Sequence, residues 1–459
     1  ICFFMQAMVL VYIVVLLQKA QAIQARDLQI EISGVGGSRK SDATIQELGS
    51  IGETKDVDLD DESSPMPQLN DEDLQAREEN LKRGADLHLL GVLFLDRFSR
   101  KIFDACVMLH FISILISYAL AGSQAYADLF GMNETQSPYL ILPFVLFFSC
   151  VVIFGAVYLR PVISIVTFSK GVVLCIMVFV TGVISAAADV DYTSEWVYIG
   201  QPLLIGTVAL GGGGNVVPII LAKVEHTRKE IRRNTIALVL GLFVVWLLNV
   251  LWCYFILRAV PQEDGKLNDP PHCDGSEEPS LALAQACGQI ATLPLIAVVR
   301  KHYEQYLWIA TFVDVFIMLS ISVSFVTMSL AMRHVLDGFA EAWRVSKASM
   351  LRKCSFDSKF PWRRAVLYVS CFGLIYIVAQ FNPRGFLKIM EIVTSLALNM
   401  EAGFFVCLMV GKAYYMADVK IAYDLHRWMF ELHYVVMGYF MFAAVYDVVL
   451  TLDESVFSD

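Results

Sequence analysis

Four consecutive glycines, Gly211–Gly214, stand with Asn215 and Pro218 inside an apolar stretch that is long enough to cross a lipid bilayer. Glycine and proline are the residues least able to sustain a helix. Backbone groups released by a break within the membrane persist only where protein or a water-filled cavity surrounds them. The two helix ends at such a break carry partial charges that attract a carboxylate or an ammonium group, so this stretch predicts a site for a zwitterionic amino acid.

Close packing between helices is the alternative role for these glycines. A packing motif spaces small residues four apart on one face and is not followed by proline, which favours the binding role. In that role the backbone N–H groups bind the substrate carboxylate, and the Asn215 side chain adds a hydrogen bond. Thr207 lies on the preceding half of the helix and is a further candidate for the same cavity. The glycines concerned are Gly211, Gly212, Gly213 and Gly214.

Ionisable and hydroxyl side chains within apolar stretches are a second source of possible chemistry, because burying them in a membrane is costly. Glu401 lies near the middle of its stretch and is a candidate proton carrier. Ser320, together with Ser322 and Ser324, is placed to bind a cation, although serines in helices often bond only to the backbone. Asp314 lies too near the end of its stretch for a midplane ion site, so pairing or a solvated position is expected.

The composition indicates the environment that must position these residues. The chain of 459 residues is 57% hydrophobic and 17% charged, whereas soluble domains average about a quarter charged. Ten runs have the roughly 20 apolar residues of a membrane helix, and the short alternating segments of a β-barrel are absent. The sequence therefore predicts an all-α, multi-pass integral membrane protein of the plasma membrane or an organelle membrane. Its spans are expected at about 1–18, 103–127, 139–159, 162–187, 198–222, 234–258, 306–331, 364–381, 386–410 and 431–452.

Positive charge sets the predicted orientation of these spans. The segments 223–233 and 333–364 contain five and eight Lys/Arg residues, whereas the loops 128–138 and 188–197 contain none. By the positive-inside rule the two basic segments are cytoplasmic. Alternation of the spans then places both loops that lack Lys and Arg, and the long loop 259–305, on the outside.

Two modifications are expected in the outside loops. Asn133 opens an Asn-Glu-Thr glycosylation sequon. Cys273 and Cys287 share the loop 259–305 and are candidates for a disulfide bond in an oxidising compartment. Most of the other cysteines are expected to be buried as small hydrophobic residues.

Residues 19–102 form an acidic insert between the first two spans. Its core, VDLDDESSPMPQLNDEDLQAREEN, has too little apolar surface to fold, so a largely disordered cytoplasmic linker is predicted. The insert either binds a partner and regulates the protein, or is a tolerated insertion. Two membrane bundles, 103–258 and 306–452, follow it, and a tail at 453–459 ends the chain.

Motifs of enzymes and of nucleic-acid-binding proteins are absent from the sequence. The glycine run lacks the Lys-Ser/Thr pair of a phosphate-binding loop, and neither a nucleophile elbow nor a metal-ligand spacing occurs. No basic patch suggests nucleic acid. The chain is therefore predicted not to be an enzyme and to use no metal or organic cofactor. It is predicted to bind a small amino acid within the bilayer.

Four stretches, in order, resemble the tyrosine/tryptophan permease family of aromatic amino acid transporters, within the amino acid–polyamine–organocation superfamily. They are similar to the family's fifth, sixth and seventh, eighth, and ninth and tenth helices. The resemblance implies a five-plus-five inverted-repeat secondary-transporter fold with a discontinuous sixth helix. Residues 1–18 then correspond to the family's second helix, so its first helix is expected to be missing here. The stretches are VISIVTFSKGVVLCIMVFV at 162–180, GNVVPIILAKVEHTRKEIRRNTIALVLGLFVVWLLNVLWCYFIL at 214–257, FVDVFIMLSIS at 312–322, and FNPRGFLKIMEIVTSLALNMEAG at 381–403.

The resemblance implies proton-coupled import of aromatic or neutral amino acids, with sodium as the alternative coupling ion. It places Lys170 where a coupling cation would bind, against the alternative that this side chain reaches the cytoplasmic interface. It also implies that Ser117 or Tyr118 lines the substrate space, although Tyr118 could equally be a packing aromatic. The family commonly has aromatic and histidine residues where this chain has glycines, which implies a wider and less aromatic cavity.

A second functional hypothesis belongs to another class. A non-transporting membrane receptor or scaffold could retain the transporter fold and signal through the acidic insert. Such a protein has no need to keep the glycine break, so the break favours the transporter.

Overall fold

The computed structural model describes residues 1–35, 84–132, 134–188, 200–262, 279–287, 292–302, 307–348, 362–381, 389–416, 419 and 421–457. These residues form helices and turns, with no strand among them. Ten helical segments are long and apolar enough to span a membrane, which confirms the predicted number. In chain order these spans are Cys2–Ile30, Arg97–Leu129, Gln136–Gly155, Val162–Ala187, Pro202–Leu221, Arg228–Ala259, Ala310–Ala340, Arg364–Phe381, Ile392–Tyr415 and Arg427–Val449.

The helices are numbered in chain order, and four short stretches among the described residues depart from the α-helix. A 3₁₀ helix over Glu134–Leu140 precedes α4, and another over Gly214–Val216 separates α5 from α6. Two π-helical turns, Ile389–Thr394 and Asn399–Phe405, flank α12, and we call Ile389–Phe405 the π-helical segment. The α-helices are α1 Cys2–Val35, α2 Leu87–Phe94, α3 Arg97–Leu129, α4 Ile141–Ala187, α5 Gly200–Gly211, α6 Val217–Leu221, α7 Arg228–Ala259, α8 Leu281–Ala286, α9 Thr292–His302, α10 Leu307–Ala348, α11 Trp362–Phe381, α12 Ser395–Leu398, α13 Val406–Tyr415, α14 Arg427–Glu431 and α15 His433–Phe457.

Several predicted boundaries of the spans are wrong. The first helix does not end at residue 18 but continues to Val35, because residues 19–30 are mostly alanine, glutamine, leucine and other good helix formers. The described end of the acidic insert is also helical, since α2 and the start of α3 lie before residue 103. Residues 36–83 of the predicted linker lie outside the described residues. The predicted tail is helical as far as Phe457.

The loop 259–305 contains helices that the prediction overlooked. Helices α8 and α9 occupy much of it, and the α9 residues Leu295, Ile296 and Val299 are buried in a cluster with residues of α7 and α10. The stretch TLPLIAVV is apolar enough to pack on the bundle. The loop therefore covers one end of the helices that it joins.

Helix α4 contains the third and fourth spans without a turn between them. A straight helix would separate Phe148 from Lys170 by about 33 Å. Both residues nevertheless contact the same turn of α10: the rings of Phe148 and Phe325 are 6.1 Å apart, and Lys170 Nζ lies 2.7 Å from Ser324 Oγ. The helix must therefore bend sharply and fold back on itself between these contacts, in the region of Pro161, whose missing N–H weakens a helix.

The centre of the bundle is formed by α1, α3 and the stretch Ile392–Tyr415. Their apolar windows are 72%, 67% and 67% buried, whereas that of α7 is 6% buried. Large aromatic side chains fill the centre, including Tyr12, Phe103, Phe111 and Phe440, which are fully buried. The outward faces of α7 and of the second half of α4 are apolar as well, as expected for helices that face lipid.

Asp86 attaches helix α2 to α10. Asp86 caps its N-terminus, with Oδ1 accepting a hydrogen bond of 2.7 Å from the Leu89 N–H. The other carboxyl oxygen lies so close to Gly338 that a Cβ there would be 2.2 Å away, so only glycine fits. Burial raises the pKa of the Asp86 carboxyl above its ordinary value, and the nearby rings of His334 and His88 partly oppose this. The charged carboxylate therefore costs stability as the pH rises through the raised pKa.

Replacement of Asp86 separates its capping role from its charge. We expect Asp86→Ala to lower stability by about 1 kcal/mol, the usual cost of a lost N-cap. Asp86→Asn keeps a capping oxygen and removes the buried charge, so it should be at least as stable as the wild type at pH 7. Thermal unfolding in detergent checks both variants, and an Asn variant as unstable as the Ala variant would contradict the explanation.

Candidate functional site

The predicted interruption at the glycine run is present, but it is short. Helix α5 ends at Gly211, a turn and one 3₁₀ turn follow, and α6 begins at Val217. The Val216 N–H donates to the Gly213 carbonyl at 3.2 Å. Pro218 lies in the first turn of α6, where its missing N–H costs nothing. We call Pro202–Leu221 the interrupted span.

The glycines allow three other helices to approach the interruption. A Cβ on Gly211 would lie 2.3 Å from Leu398 of α12, and one on Gly212 would lie 2.8 Å from Met328 of α10. A Cβ on Gly214 would meet Ile13 of α1 at 3.0 Å, whereas Gly213 has room for one. The packing role and the break therefore coexist in this run.

Gly213 differs from its neighbours in its exposure. Gly211, Gly214 and Asn215 are buried, whereas Gly213 is exposed. The backbone at the interruption is therefore left uncovered by other described residues at Gly213, in the middle of an apolar span.

A side chain of α1 satisfies part of the interruption. Gln6 Nε2 donates a 3.0 Å hydrogen bond to the carbonyl of Thr207, one turn before the break. Gln6 is buried, and its amide lies 3.0 Å from the place where a Gly211 Cβ would be. Sequence reasoning did not single out Gln6, because its partner is 201 residues away.

Thr207 and Ser117 do not offer their hydroxyl groups to an open cavity. The Thr207 hydroxyl lies 2.8 Å from the Leu203 carbonyl and 2.9 Å from the Tyr439 hydroxyl. The Ser117 hydroxyl donates to the Ser113 carbonyl at 3.1 Å. Both side chains are fully buried. Their predicted place in the substrate space is therefore not supported, since these hydroxyls already bond within the protein.

A buried polar cluster joins the interrupted span to two other helices. His110 of α3 places Nδ1 2.7 Å from Oε2 of Glu401, in the π-helical segment, and 3.3 Å from Nδ2 of Asn215. Each of the three residues is at most 5% exposed. The other ring nitrogen of His110, Nε2, is buried without a hydrogen-bond partner among the described residues. Glu401 and Asn215 were predicted site residues, whereas His110 was not.

Lys170 is held by α10. Its ammonium donates to the Ser320 carbonyl at 3.3 Å and to the Ser324 hydroxyl at 2.7 Å. The Tyr118 hydroxyl interacts with the same Ser324 side chain. The predicted residues Lys170, Ser320 and Tyr118 therefore meet around Ser324, and Ser320 contributes its backbone carbonyl.

The two polar clusters approach the interruption from different helices. Ser324, which binds Lys170, is one helical turn before Met328, which packs against Gly212. Asn215, which contacts His110, follows the glycine run directly.

Two further acids are buried with partners. Asp314 accepts from Arg300 at 2.8 Å, which agrees with the expected pairing. Asp447 of α15 accepts hydrogen bonds from Ser395 at 2.7 Å and from Asn399 at 3.1 Å. This second network ties α15 to the π-helical segment one turn away from Glu401.

The expected modification sites lie mainly outside the described residues. Asn133 and Cys273 belong to this part of the chain. Cys287 is disulfide-bonded in the structure. The pairing of Cys273 with Cys287 stays a prediction.

The fold defines the chain as an all-α, multi-pass integral membrane protein with ten candidate spans. It matches no family model and no curated protein sequence. The interrupted span and the two polar clusters beside it are therefore the features that bear on function.

The glycine contacts give a matched pair of substitutions. We expect Gly211→Ala to destabilise the protein by about 1–3 kcal/mol, the usual cost of overpacking, because its Cβ would overlap Leu398. Gly213→Ala should leave stability nearly unchanged, since the nearest atom is 3.9 Å away. Thermal unfolding of the purified variants measures the difference, and equal effects would contradict the assigned contacts.

The disulfide can be checked by peptide mapping. We expect a non-reduced digest of the full chain to contain a peptide that joins Cys273 to Cys287, and reduction should remove it. A peptide that joins Cys287 to a different cysteine would show the predicted pairing to be wrong.

Proposed function

We propose that this protein is a secondary-active amino acid transporter. It imports aromatic or neutral amino acids together with protons, and the substrate-binding site alternates between the two sides of the membrane. The substrate binds at the interrupted span, where the backbone of Gly213 is accessible. Lys170 and Glu401 are the candidates for ion coupling.

The observation that carries this proposal is an accessible break in a membrane span. Lipid cannot satisfy backbone groups, so an interruption of a span is tolerated where protein or a water-filled cavity surrounds it. Discontinuous helices of this kind form the substrate sites of secondary transporters, where helix ends face the charged groups of the solute. The exposure of Gly213, beside the half-buried Gly212 and the buried Gly214, supports the same role here.

The positions of the two ionisable contacts support an inverted repeat. The Lys170–Ser324 contact joins the fourth and seventh spans, and the His110–Glu401 contact joins the second and ninth. A shift of five spans converts the second span into the seventh and the fourth into the ninth. The two contacts are therefore equivalent under a five-plus-five repeat.

Together with the resemblance to tyrosine/tryptophan permeases, this equivalence supports the transporter fold over a receptor or scaffold.

Uptake into proteoliposomes tests the proposed function. The full chain should take up labelled tryptophan, tyrosine or leucine when an inside-alkaline pH gradient is imposed, and empty liposomes should not. Comparison of the three amino acids gives the preference between aromatic and aliphatic substrates. No uptake of any amino acid, with the protein correctly folded, would favour the non-transporting scaffold.

Lys170 should be required for this uptake. Lys170→Ala removes the ammonium from the Ser320 carbonyl and the Ser324 hydroxyl and leaves two acceptors without their donor. We expect initial uptake rates to fall roughly tenfold, the effect of about 1.4 kcal/mol. Lys229→Ala is the matched control, because Lys229 is exposed at the start of α7. Equal rates for both variants would remove Lys170 from the mechanism.

A further inference from the structure

The contact between His110 and Glu401 requires a hydrogen between the two atoms. Nδ1 of the ring and Oε2 of the carboxyl group are 2.7 Å apart, and the two side chains are 1% and 4% exposed. Two lone pairs would repel each other at this distance, so the hydrogen is either the Nδ1–H of an imidazole beside a carboxylate or the O–H of a carboxyl group beside a neutral ring. A neutral imidazole beside a carboxylate leaves the buried pair with a net charge of −1. One additional proton, on Nε2 or on the carboxyl group, removes that charge.

Loss of this proton would leave an uncompensated charge in the centre of the bundle. The pair would then be a carboxylate and a neutral imidazole, with a net charge of −1. A buried charge without a partner is strongly unfavourable in a protein interior. Contact of the pair with water or with a cation would lower the energetic cost of this buried charge. Such contact requires the helices to separate. The protonated pair therefore favours the closed bundle, and the deprotonated pair favours an open one.

Asn215 connects this proton to the interrupted span. As the Asn215 amide is oriented, its Nδ2 faces Nδ1 of His110 at 3.3 Å. A single ring nitrogen either donates or accepts a hydrogen bond. Nδ1 can accept from Asn215 only when it carries no hydrogen and does not already accept one from the Glu401 carboxyl group, which is the case when the deprotonated pair has its ring hydrogen on Nε2. The position of the proton thus changes how firmly the interrupted span is held to α3.

His110 also has capacity for a second interaction. Its Nε2 is buried and has no hydrogen-bond partner among the described residues. A buried ring nitrogen without a partner is costly in a rigid core. It is expected in a residue that exchanges partners during a conformational cycle, since the missing partner is supplied in another state.

The surroundings of the pair contain few competing charges. Cys106, one turn before His110, is the ionisable side chain that interacts electrostatically with Glu401. Other charged or titratable side chains in the described parts of the surrounding helices have partners elsewhere. They are Tyr12 on the Met429 carbonyl, Lys19 on the Ala413 carbonyl, His88 on Asp104, Lys170 on Ser324, Asp314 on Arg300, Arg333 on the Val152 carbonyl, Tyr368 on Asp337, His433 on the Phe430 carbonyl, Tyr439 on Thr207, and Asp447 on Ser395 and Asn399.

We infer that His110 and Glu401 form the proton-binding site of the transporter and that Asn215 links its occupancy to the interrupted span. One proton enters from the side of higher proton activity, forms an N–H or O–H bond in the pair, and leaves to water on the other side. No other bond forms or breaks. This inference rests on the proposed transport function and assigns its coupling ion and the residues that bind it.

Gradient-driven accumulation and exchange separate proton coupling from substrate binding. The full chain is reconstituted as wild type, Glu401→Gln and Asp447→Asn, with whichever labelled amino acid the wild type exchanges. Asp447→Asn is the matched control, because it also replaces a buried, hydrogen-bonded acid by its amide in the same region. Exchange is measured at equal pH on both sides, and accumulation under an inside-alkaline gradient of one pH unit.

The wild type should accumulate a neutral amino acid up to about tenfold, the limit set by one proton per substrate and one pH unit. Glu401→Gln should retain exchange but reach only equal concentrations on the two sides, because its amide cannot bind or release the proton. Asp447→Asn should accumulate substrate as the wild type does. Accumulation by Glu401→Gln at the wild-type level would overturn the inference.

Two other outcomes distinguish the inference from the function on which it rests. A wild type that accumulates substrate on a sodium gradient but not on a pH gradient would overturn the proton site and leave transport standing. If Lys170→Ala no longer accumulates substrate on a pH gradient while Glu401→Gln still does, the proton-binding site is at Lys170 and not at Glu401. A wild type that neither exchanges nor accumulates any amino acid would refute the transport function itself, and the proton site with it.

If Glu401→Gln does not fold, the protons that the protein takes up or releases on substrate binding can be counted directly. His110→Gln retains a polar side chain at the position but does not titrate. In weakly buffered detergent solution, a pH indicator should report about one proton exchanged per substrate bound by the wild type and much less for His110→Gln. An unchanged proton count in His110→Gln would overturn the assignment.

Discussion

Polar groups that a chain carries into hydrocarbon must find partners within the protein, because lipid offers none. The architecture around the interrupted span follows from this requirement. The Gln6 amide satisfies the Thr207 carbonyl before the break, and Asn215 meets His110 after it. The glycines let α1, α10 and the π-helical segment come close enough for these contacts. The break, its neighbours and the buried acid therefore form one unit, in which a change in one contact affects the others.

The sequence predicted the features that depend on local composition. Apolar runs gave the ten spans, and the helix-breaking residues gave the position of the interruption, since both are set by residues adjacent in the chain. The ends of helices were less well predicted, because residues 19–35 are polar and yet good helix formers. The sequence placed the third and fourth spans at 139–159 and 162–187, whereas the structure has one bent helix, α4, over both.

The candidate site was predicted only in part, because tertiary contacts decide which polar groups remain available. Glu401 and Lys170 were recognisable as ionisable residues in apolar runs. Their partners lie far away in sequence, and Glu401 and His110 are 291 positions apart. A histidine within an apolar helix gives no signal that distinguishes a satisfied core residue from one that shares a proton. Thr207 and Ser117 were predicted to face the substrate from their positions in the sequence. Their hydroxyl groups, however, already form hydrogen bonds with backbone carbonyls.

The folded-back helix α4 has a mechanical consequence. Its two halves contact α10 through Phe148 and Lys170, and Arg333 of α10 donates to the Val152 carbonyl. With no flexible loop between the halves, neither half can slide without pulling the other. These contacts hold α10 and both arms of the hairpin together, whereas the interrupted span meets α10 through a glycine contact. If the protein is the proposed transporter, the interrupted span is the element that we expect to move relative to α10.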